Sequence, residues 1–394
     1  MKIAVIGSGL MARAIVYDFL HYQDLNEIVV LEKDSAVLET MRQMLVQFPS
    51  VKYHQGDVAD ESWLRKSIEG CRVIVSAAPY RLNRYLLQAA LNERAHFVDL
   101  GGNMEVVRQQ FELDGRAKAA GIAAIPACGV APGTLSLLAM RGIERLDRVE
   151  TIRLYCGGLP QKPEPPLGYQ FVFSVEGLIN EYVEPVEVIE DGEVRVVPPL
   201  EGLEPFTFGR RLPPMEVFYT SGNTGTLVWT LKGRVRNLSY RTIRYAGHRD
   251  RMKLLFDLGF GSSVPIGVGE TPDGSDSSGL TTLTPRKILE KLLSEKLPRE
   301  GPDLVIGKAA VEGRKGRRKS SVEYSFIDRA DPKSGLSAMA RCTGFGAAIV
   351  AGMLARGEIA GKGVMALEES VPPGKYIEAL EVRGIAIRED QQAG

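Results

Sequence analysis

The sequence predicts an α/β protein that consists of a doubly wound parallel sheet and a second, α+β domain with a mainly antiparallel sheet. Over residues 1 to about 125, short apolar runs alternate regularly with amphipathic stretches, as is typical of parallel strands joined by helices. After Ala127 the pattern changes to closely spaced strands with few helices. The length of 394 residues exceeds that of one ordinary core, which also indicates two domains.

The first strand leads directly into a glycine-rich turn. Residues 2–6 are apolar in pattern, and Gly7-Ser8-Gly9-Leu10-Met11-Ala12 has the form G-x-G-x-x-A. Gly7 permits a tight turn, the missing Cβ of Gly9 lets a pyrophosphate approach the backbone, and Ala12 lets the helix pack closely on the sheet. This pattern predicts a Rossmann-type dinucleotide-binding domain. The alternative is a flavodoxin-like turn without a nucleotide.

The later strands of this domain supply further cofactor contacts. Strand patterns are predicted at 28–31, 51–55, 73–76, 96–100 and 122–126, and helices at about 10–21, 35–48, 60–68, 82–93 and 104–120. Ligands bind such sheets at the carboxyl ends of the strands. The predicted cofactor-binding residues are therefore Gly7, Ser8, Gly9, Leu10, Met11, Glu32, Asp57, Val58, Ala77, Ala78 and Pro79.

Two acidic residues in this set have particular roles. Glu32 ends the second strand roughly 20 residues after the glycines, where a carboxylate binds the ribose. It favours NAD because it repels a 2′-phosphate, although Lys33 beside it leaves NADP possible. Asp57 is placed to accept a hydrogen bond from the adenine amino group, with a turn or capping role as the alternative.

The second part of the chain predicts strands at about 150–156, 186–189, 194–197, 228–231, 235–245, 304–312 and 321–328, with helices at 249–258 and 284–296.

The basic run 313–319 predicts a solvated hairpin tip; a phosphate or nucleic-acid patch is the alternative. A helix over 337–356 is expected to pack back on the first domain. A final helix-turn-strand is expected over 363–388, and residues 391–394 are expected to be loose. The expected domains are 1–127 completed by 335–394, and 128–334 for substrate binding and dimerisation.

Composition narrows the possible partners and location. The chain carries 49 basic and 49 acidic residues, so a zero net charge argues against nucleic acid or an anionic membrane surface. Its four cysteines form no C-x-x-C pair, so we expect no disulfide framework, no metal site and a reducing, cytoplasmic location. The N-terminus lacks a signal-peptide layout, and the longest apolar runs, such as 347–355, are too short to span a bilayer.

Three stretches together resemble the saccharopine dehydrogenase family. They are the glycine turn, CGVAPG at 128–133 and YCGGLPQKPEPPLGY at 155–169. FVFSVEGLINEY at 171–182 is similar to the lysine 6-dehydrogenase branch. That resemblance implies NAD-dependent oxidation of the ε-amine of L-lysine, which yields ammonia and a semialdehyde that cyclises. It also implies homodimers of two-domain subunits with the active site between the domains.

Two departures from the family pattern concern the substrate. Saccharopine reductases of the family carry an acid before the Pro-Gly of the connection, where this chain has Ala131. They carry an arginine in the stretch where this chain has Glu176. An arginine there suits the extra carboxylates of saccharopine, whereas a glutamate repels them and attracts an ammonium group. The substitutions favour a smaller, cationic amino-acid substrate.

Amine oxidation requires a base, because an alkylammonium with a pKa of about 10.4 must lose a proton before it releases a hydride. The candidate catalytic residues are Glu176, His248, Cys156, Asp99 and Tyr80. Four of them have a structural alternative: a helix N-terminal acid for Glu176, a capping or surface histidine for His248, a buried filler for Cys156 and a turn residue for Asp99. Candidate substrate-binding residues are Gly129, Gly133, Arg241 and Arg244. The alternative functions are a saccharopine- or carboxynorspermidine-type dehydrogenase and a non-catalytic dinucleotide-binding protein.

Overall fold

The structure is a computed structural model that describes residues 1–209, 212–268, 281–298 and 301–393. The described strands are β1 Lys2–Ile6, β2 Glu27–Glu32, β3 Val51–Gln55, β4 Val73–Ser76, β5 His96–Asp99, β6 Ala123–Ile125, β7 Arg148–Pro160, β8 Val186–Glu190, β9 Glu193–Val197, β10 Glu204–Phe206, β11 Met215–Tyr219, β12 Asn237–Tyr245, β13 Ile266–Val268, β14 Thr281–Leu283, β15 Asp303–Lys315, β16 Arg318–Arg329, β17 Gly363–Val364 and β18 Arg388–Ala393. The described helices are α1 Leu10–Tyr22, α2 Ser35–Met44, α3 Glu61–Ile68, α4 Asn83–Asn92, α5 Met104–Phe111, α6 Asp114–Ala120, α7 Thr134–Ile143, α8 Val175–Val183, α9 Leu227–Thr230, α10 His248–Asp257, α11 Pro285–Lys296, α12 Ala338–Ala355, α13 Leu367–Ser370 and α14 Pro373–Val382.

The first sheet has seven parallel strands in the order β17-β6-β5-β4-β1-β2-β3. Side chains of β1 alternate between two cores, with Ile3 and Val5 packed on the α1 side and Ala4 and Ile6 on the α3 and α4 side. Burial on both faces explains why these strands are continuously apolar. The predicted doubly wound sheet is confirmed.

The second sheet has nine strands, seven of them in the order β10-β11-β12-β7-β15-β16-β18, with β8 joined to β12 and β9 joined to β8. The pairing is antiparallel except between β7 and β12, which run parallel. The mainly antiparallel second domain is therefore confirmed. The basic run 313–319 lies at the tip of the β15–β16 hairpin, as predicted, with Lys315 paired to Arg318 across the turn.

Helix α12 lies between the two sheets and packs against α1, β4, β5 and β15. Its 18 residues have a mean hydropathy of 1.4, so by length and composition it could cross a bilayer, and 94% of it is buried inside this fold. Close packing explains its small residues, because a Cβ on Gly344 would lie 2.6 Å from the Cβ of Ala14 on α1. The helix thus packs against the first domain, as expected.

Several local predictions were wrong. The apolar run 228–231 is not a strand: it belongs to the short helix α9, where Leu227, Val228 and Leu231 are buried at helical spacing. The predicted helix 104–120 is two helices, and Leu113 is buried between them. The sequence did not predict β10 and β11.

The C-terminal residues also differ from expectation. Residues 391–393 are not loose but belong to β18, which pairs with β16, so that Gln391 lies opposite Val322. Gly394 lies outside the described residues. The last strand therefore joins the second sheet, although β17 joins the first, as expected for a segment that completes that domain.

Candidate active site

The glycine turn after β1 leaves room for a phosphate group. Gly7 has a φ of +102°, and a Cβ there would lie 2.9 Å from the carbonyl oxygen of Ala77. A Cβ on Gly9 would meet no atom within 4 Å, and no side chain caps the N-terminus of α1. The free amides of this helix start can therefore bind an anionic pyrophosphate, which fits the residues to a dinucleotide.

The carboxylate of Glu32 organises the same turn. One oxygen accepts hydrogen bonds from the amide and the hydroxyl of Ser8, at 2.8 and 3.0 Å. The other accepts from the amides of Lys33 and Asp34, at 2.8 and 3.0 Å. Glu32 thus places a negative charge beside the turn, at the point where the ribose of a dinucleotide would lie.

The other predicted cofactor residues lie around this turn. Ala77 and Ala78 are half-buried at the end of β4, Pro79 and Leu10 are exposed, and Met11 and Val58 are half-buried. The carboxylate of Asp57 accepts a hydrogen bond from the amide of Ala59 and pairs with Lys33 at 2.6 Å. Lys33 and this amide lower the pKa of Asp57. Lys33, the residue whose charge could accommodate the 2′-phosphate of NADP, is therefore paired with Asp57.

One face of α8 contacts the loops that follow β4 and β5 in the first domain. The side-chain amide of Asn180 donates to the hydroxyl of Tyr80 at 3.0 Å. Glu176, one turn earlier, pairs with Arg81 at 3.4 Å, and 48% of its side chain remains exposed. Tyr80 and Glu176 thus lie together at the boundary between the domains.

A buried cluster lies on the opposite side of α8, against β12. The guanidinium of Arg244 donates to the hydroxyl of Tyr182 at 2.9 Å and contacts the carboxylate of Glu181 at 3.5 Å. It also lies 5.0 Å from the ring centroid of Tyr169. Nδ1 of His248 donates to the carbonyl of Leu167 at 3.1 Å, and its Nε2 is hydrogen-bonded with the hydroxyl of Tyr182 at 3.0 Å.

Burial and the charge of Arg244 shift the pKa values of the titratable residues in this cluster in different directions. Burial and the neighbouring Arg244 lower the pKa of His248 to about 3, so its ring is neutral and both of its nitrogens are engaged. Burial raises the pKa of the Cys156 thiol to about 12, so no thiolate forms there near neutral pH. Burial also raises the pKa of Glu181 to about 7, against the opposing effects of Arg244 and Asn223.

Asp99 connects the loops at the ends of β5 and β6. Its carboxylate accepts from the amides of Gly101 and Ala127, at 2.7 and 3.0 Å, and from the side chain of Gln110 at 2.6 Å. It is fully buried, which raises its pKa. These bonds make it a residue that fixes the strand-end loops, the alternative that the sequence left open.

Two of the four candidate substrate residues contact each other, and the other two lie on different faces of β12. Gly129 and Gly133 pack against each other, and a Cβ on Gly133 would lie 2.0 Å from the carbonyl oxygen of Gly129. Arg244 belongs to the buried cluster. Arg241 does not: it pairs with Glu204 at 2.7 Å and lies over the ring of Tyr219. Residues three apart on a strand point to opposite faces, which explains the separation of the two arginines.

Sequence reasoning missed Glu181. Glu181 follows Glu176 by five residues, so it points to a different side of α8. The spacing of apolar residues along α8 could have identified it. Glu181 lies on the side of the helix that carries the buried Leu178 and Tyr182, and an acid at such a position needs a buried cationic partner.

The fold and the glycine turn define a class: a two-domain oxidoreductase with an NAD(P)-binding domain and a second, mainly antiparallel sheet. Family models agree, since residues 3–125 match the saccharopine dehydrogenase NADP binding domain and residues 129–385 match the saccharopine dehydrogenase C-terminal domain. The chain belongs to the saccharopine dehydrogenase family.

Individual relatives are more distant. Saccharopine dehydrogenase [NADP(+), L-glutamate-forming] of Pyricularia oryzae is 28% identical over 215 residues, which are 52% of this chain and 46% of the relative. Mitochondrial alpha-aminoadipic semialdehyde synthase of Mus musculus is 26% identical over 204 residues, 49% of this chain and 21% of the relative. The matched part thus spans about half, or less, of the length of these relatives.

Two solved structures share the fold. Apo saccharopine dehydrogenase (L-Glu forming) from Saccharomyces cerevisiae superposes with a TM-score of 0.79 at 20% identity over 99% of both chains. Homospermidine synthase from Legionella pneumophila in complex with NAD gives a TM-score of 0.69 at 11% identity, over 99% of this chain and 91% of the other.

Proposed function

We propose that this protein is an NAD-dependent amine dehydrogenase that oxidises the ε-amine of L-lysine, with release of ammonia and formation of a semialdehyde that cyclises. The observation that carries the proposal is the charge distribution around α8. One buried cation, Arg244, faces the carboxylate of Glu181, and a second carboxylate, Glu176, lies at the domain boundary. A cleft with this arrangement suits a substrate with one carboxylate and ammonium groups.

The neighbouring arginines support a small substrate. Arg81 pairs with Glu176, and Arg286 on α11 pairs with Glu290 at 3.0 Å. Each of these cations already has an acidic partner, so the extra carboxylates of saccharopine would have to displace a carboxylate to bind there. Lysine carries no such groups.

The residues around the cleft divide the chemistry between them. NAD, when bound, accepts a hydride from the carbon that carries the amine. Arg244 is 3% exposed and its Nε and Nη1 already donate to protein groups, so we assign only its Nη2 to the substrate side of the cluster, beside Glu181. Tyr80 and Asn180 hold the first domain against α8, and the glycine turn with Glu32 holds the dinucleotide. The carboxylate of Glu32 supports NAD over NADP.

The test is a comparison of substrates with the purified protein. We expect L-lysine with NAD to yield NADH and ammonia, and saccharopine and L-glutamate to yield little. Arg244→Met should remove lysine turnover, whereas Arg241→Met, on the other face of β12, should retain it. Turnover of saccharopine without turnover of lysine would contradict the proposal.

A second candidate is a saccharopine-type dehydrogenase, which the family models and the curated relatives favour. That activity would require an arginine of the cleft to leave its acidic partner and bind the additional carboxylates. Saccharopine-dependent reduction of NADP, lost in Arg81→Met, would support this candidate instead.

We also propose a cytoplasmic homodimer. The four cysteines are buried and unpaired with one another, which accords with a reducing compartment. Light scattering of the eluted protein at several concentrations measures its mass directly, and a mass near 43.1 kDa, that of one chain, would contradict the dimer.

A further inference from the structure

The buried cluster between α8 and β12 reaches solvent mainly through one side chain, that of Glu181. Within it, the side chain of Arg244 is 3% exposed and Tyr182 is fully covered, whereas 21% of the side chain of Glu181 is exposed. A ligand that approaches this cluster from solvent therefore reaches the carboxylate of Glu181 before it reaches the guanidinium of Arg244.

Arg244 is held in place by other partners. Its Nε donates to the hydroxyl of Tyr182 at 2.9 Å, and its Nη1 donates to the Thr242 hydroxyl and the Ile243 carbonyl at 2.9 and 3.0 Å. Its remaining nitrogen, Nη2, contacts Glu181 at 3.5 Å. A carboxylate with one cationic contact at this distance has lone pairs left to accept a proton or a hydrogen bond.

Glu181 also lies beside the strand ends of the first domain. The backbone carbonyl of Glu181 accepts a hydrogen bond from the amide of Ser221, in the loop 220–226, at 2.9 Å. That loop packs on the connection after β6, because a Cβ on Gly225 would lie 2.6 Å from the Cβ of Pro132. Pro132 in turn lies next to Gly101, at the end of β5. In parallel sheets of this kind the dinucleotide crosses these strand ends, so the loop 220–226 connects Glu181 to the part of the first domain that binds the cofactor.

We propose that Glu181 receives the reacting ammonium group of the substrate and accepts its proton before the hydride is transferred. This assignment rests on the proposed amine dehydrogenase function and names its proton acceptor. An N–H bond of the ammonium breaks, its electron pair stays on nitrogen, and an O–H bond forms on Glu181. The neutral amine can then release a hydride from its carbon to NAD as the C=N bond forms. The proton leaves Glu181 for solvent through its exposed edge.

The surroundings of Glu181 suit this task. The titratable groups that face it are Arg244 and Tyr240 on β12, Cys156 on β7, Tyr169 before α8 and Tyr182 on α8 itself. Burial raises the pKa of each of these tyrosines and of the thiol, so they are neutral near pH 7 and Arg244 supplies the charge. With a pKa of about 7, Glu181 is poised to take and release a proton at neutral pH.

The other candidate bases are engaged elsewhere. Glu176 pairs with Arg81 and Asp99 accepts three hydrogen bonds in the interior. His248 lies behind Tyr182, with both ring nitrogens bonded. Glu181 combines a raised pKa with a partly exposed side chain, whereas Glu184, whose pKa burial also raises, is hydrogen-bonded by Asn103.

The test compares Glu181→Gln, Glu181→Asp and the control Glu190→Gln, an exposed acid at the end of β8. L-lysine and NAD are varied over pH 6–10, and NADH binding is titrated by fluorescence to verify the fold and the cofactor site. We expect Glu181→Gln to bind NADH normally and to lose kcat by about a hundredfold or more at pH 7. The acid limb of its kcat profile, with an apparent pKa near 7 in the native protein, should disappear. Glu181→Asp should keep an acid limb, and Glu190→Gln should match the native protein.

The outcomes separate the two proposals. Native-like kcat in Glu181→Gln, or a raised KM for lysine with kcat and the acid limb intact, would overturn the assignment of Glu181 and leave the proposed function standing. A native protein that forms no NADH from lysine would overturn both. If Glu181→Gln does not bind NADH, the assignment is decided by Glu181→Asp, where loss of the acid limb would contradict it.

Discussion

Replacing Glu32 with Gln should weaken NAD binding without unfolding the protein. The carboxylate accepts four hydrogen bonds, two on each oxygen, from Ser8 on one side and from the amides of Lys33 and Asp34 on the other. A glutamine presents one oxygen and one NH₂ group, so one of the two sides loses its acceptor and faces another donor.

The size of the effect follows from these bonds. Hydrogen bonds to a charged group contribute about 1.5–3 kcal/mol each, and an amide left without a partner costs about the same. If the loss is confined to the turn, NAD binding weakens by about ten- to a hundredfold. NADP should respond differently, because two like charges about 5 Å apart repel by about 1–3 kcal/mol between water and a protein surface. The preference for NAD should therefore narrow by about tenfold or more.

Fluorescence titration of NADH and NADPH against the native protein, Glu32→Gln and Lys33→Met measures both effects. Lys33→Met is the control for NADH affinity, because this exposed lysine pairs with Asp57 and makes no contact with Glu32 through its side chain. Unchanged NADH affinity in Glu32→Gln, or equal affinity of the native protein for the two cofactors, would refute the reasoning.

Three further predictions concern the turn, the pH dependence and the core. Gly9→Ala should lower the free energy of unfolding by less than about 1 kcal/mol, because its Cβ meets open space, yet it should weaken NADH binding at least tenfold. Gly7→Ala should also lower the thermal midpoint of unfolding, because Gly7 has a φ of +102° and a Cβ there would lie 2.9 Å from the carbonyl oxygen of Ala77. The pKa of His248 falls from about 6.5 unfolded to about 3 folded, so the unfolded state binds the extra proton and the free energy of unfolding drops as the pH falls below 6.5. Urea titrations should show about 2 kcal/mol of this loss at pH 5 in the native protein and not in His248→Gln; His96, lowered to about 4, contributes equally to both. Asp18→Asn breaks the buried pair with Arg383 and should cost about 3–5 kcal/mol in urea, whereas Glu39→Gln, whose partner Arg42 is half exposed, should cost little; equal midpoints would contradict this.

The first domain could be read from the sequence because its signals are local. Each strand is an apolar run followed by a turn, and residues such as Asp34, Asp60 and Asn103 cap the following helices through their own side chains. The pairing of β18 with β16 is different, since the polar run Arg388–Ala393 carries no pattern of its own and is ordered by a partner strand far away in the chain. The apolar run at 228–231 was ambiguous for a different reason: four apolar residues fit a strand or a helix turn equally well.

In the candidate site, too, some features follow from local sequence spacing and others depend on partners that are distant in the chain. The two arginines of β12 could have been separated by counting, because positions three apart on a strand face opposite sides of the sheet. Glu176 and Glu181 are five apart on α8, which at 3.6 residues per turn places them about 140° apart on the helix. One therefore meets the first domain and Arg81, and the other meets Arg244. The resemblance to the family drew attention to Glu176, the more exposed acid. The position of Glu181 on the turns of α8 directs this second acid towards Arg244. A carboxylate at the boundary can attract an ammonium group electrostatically, but solvent screens it, while the half-enclosed one has the raised pKa that proton transfer requires.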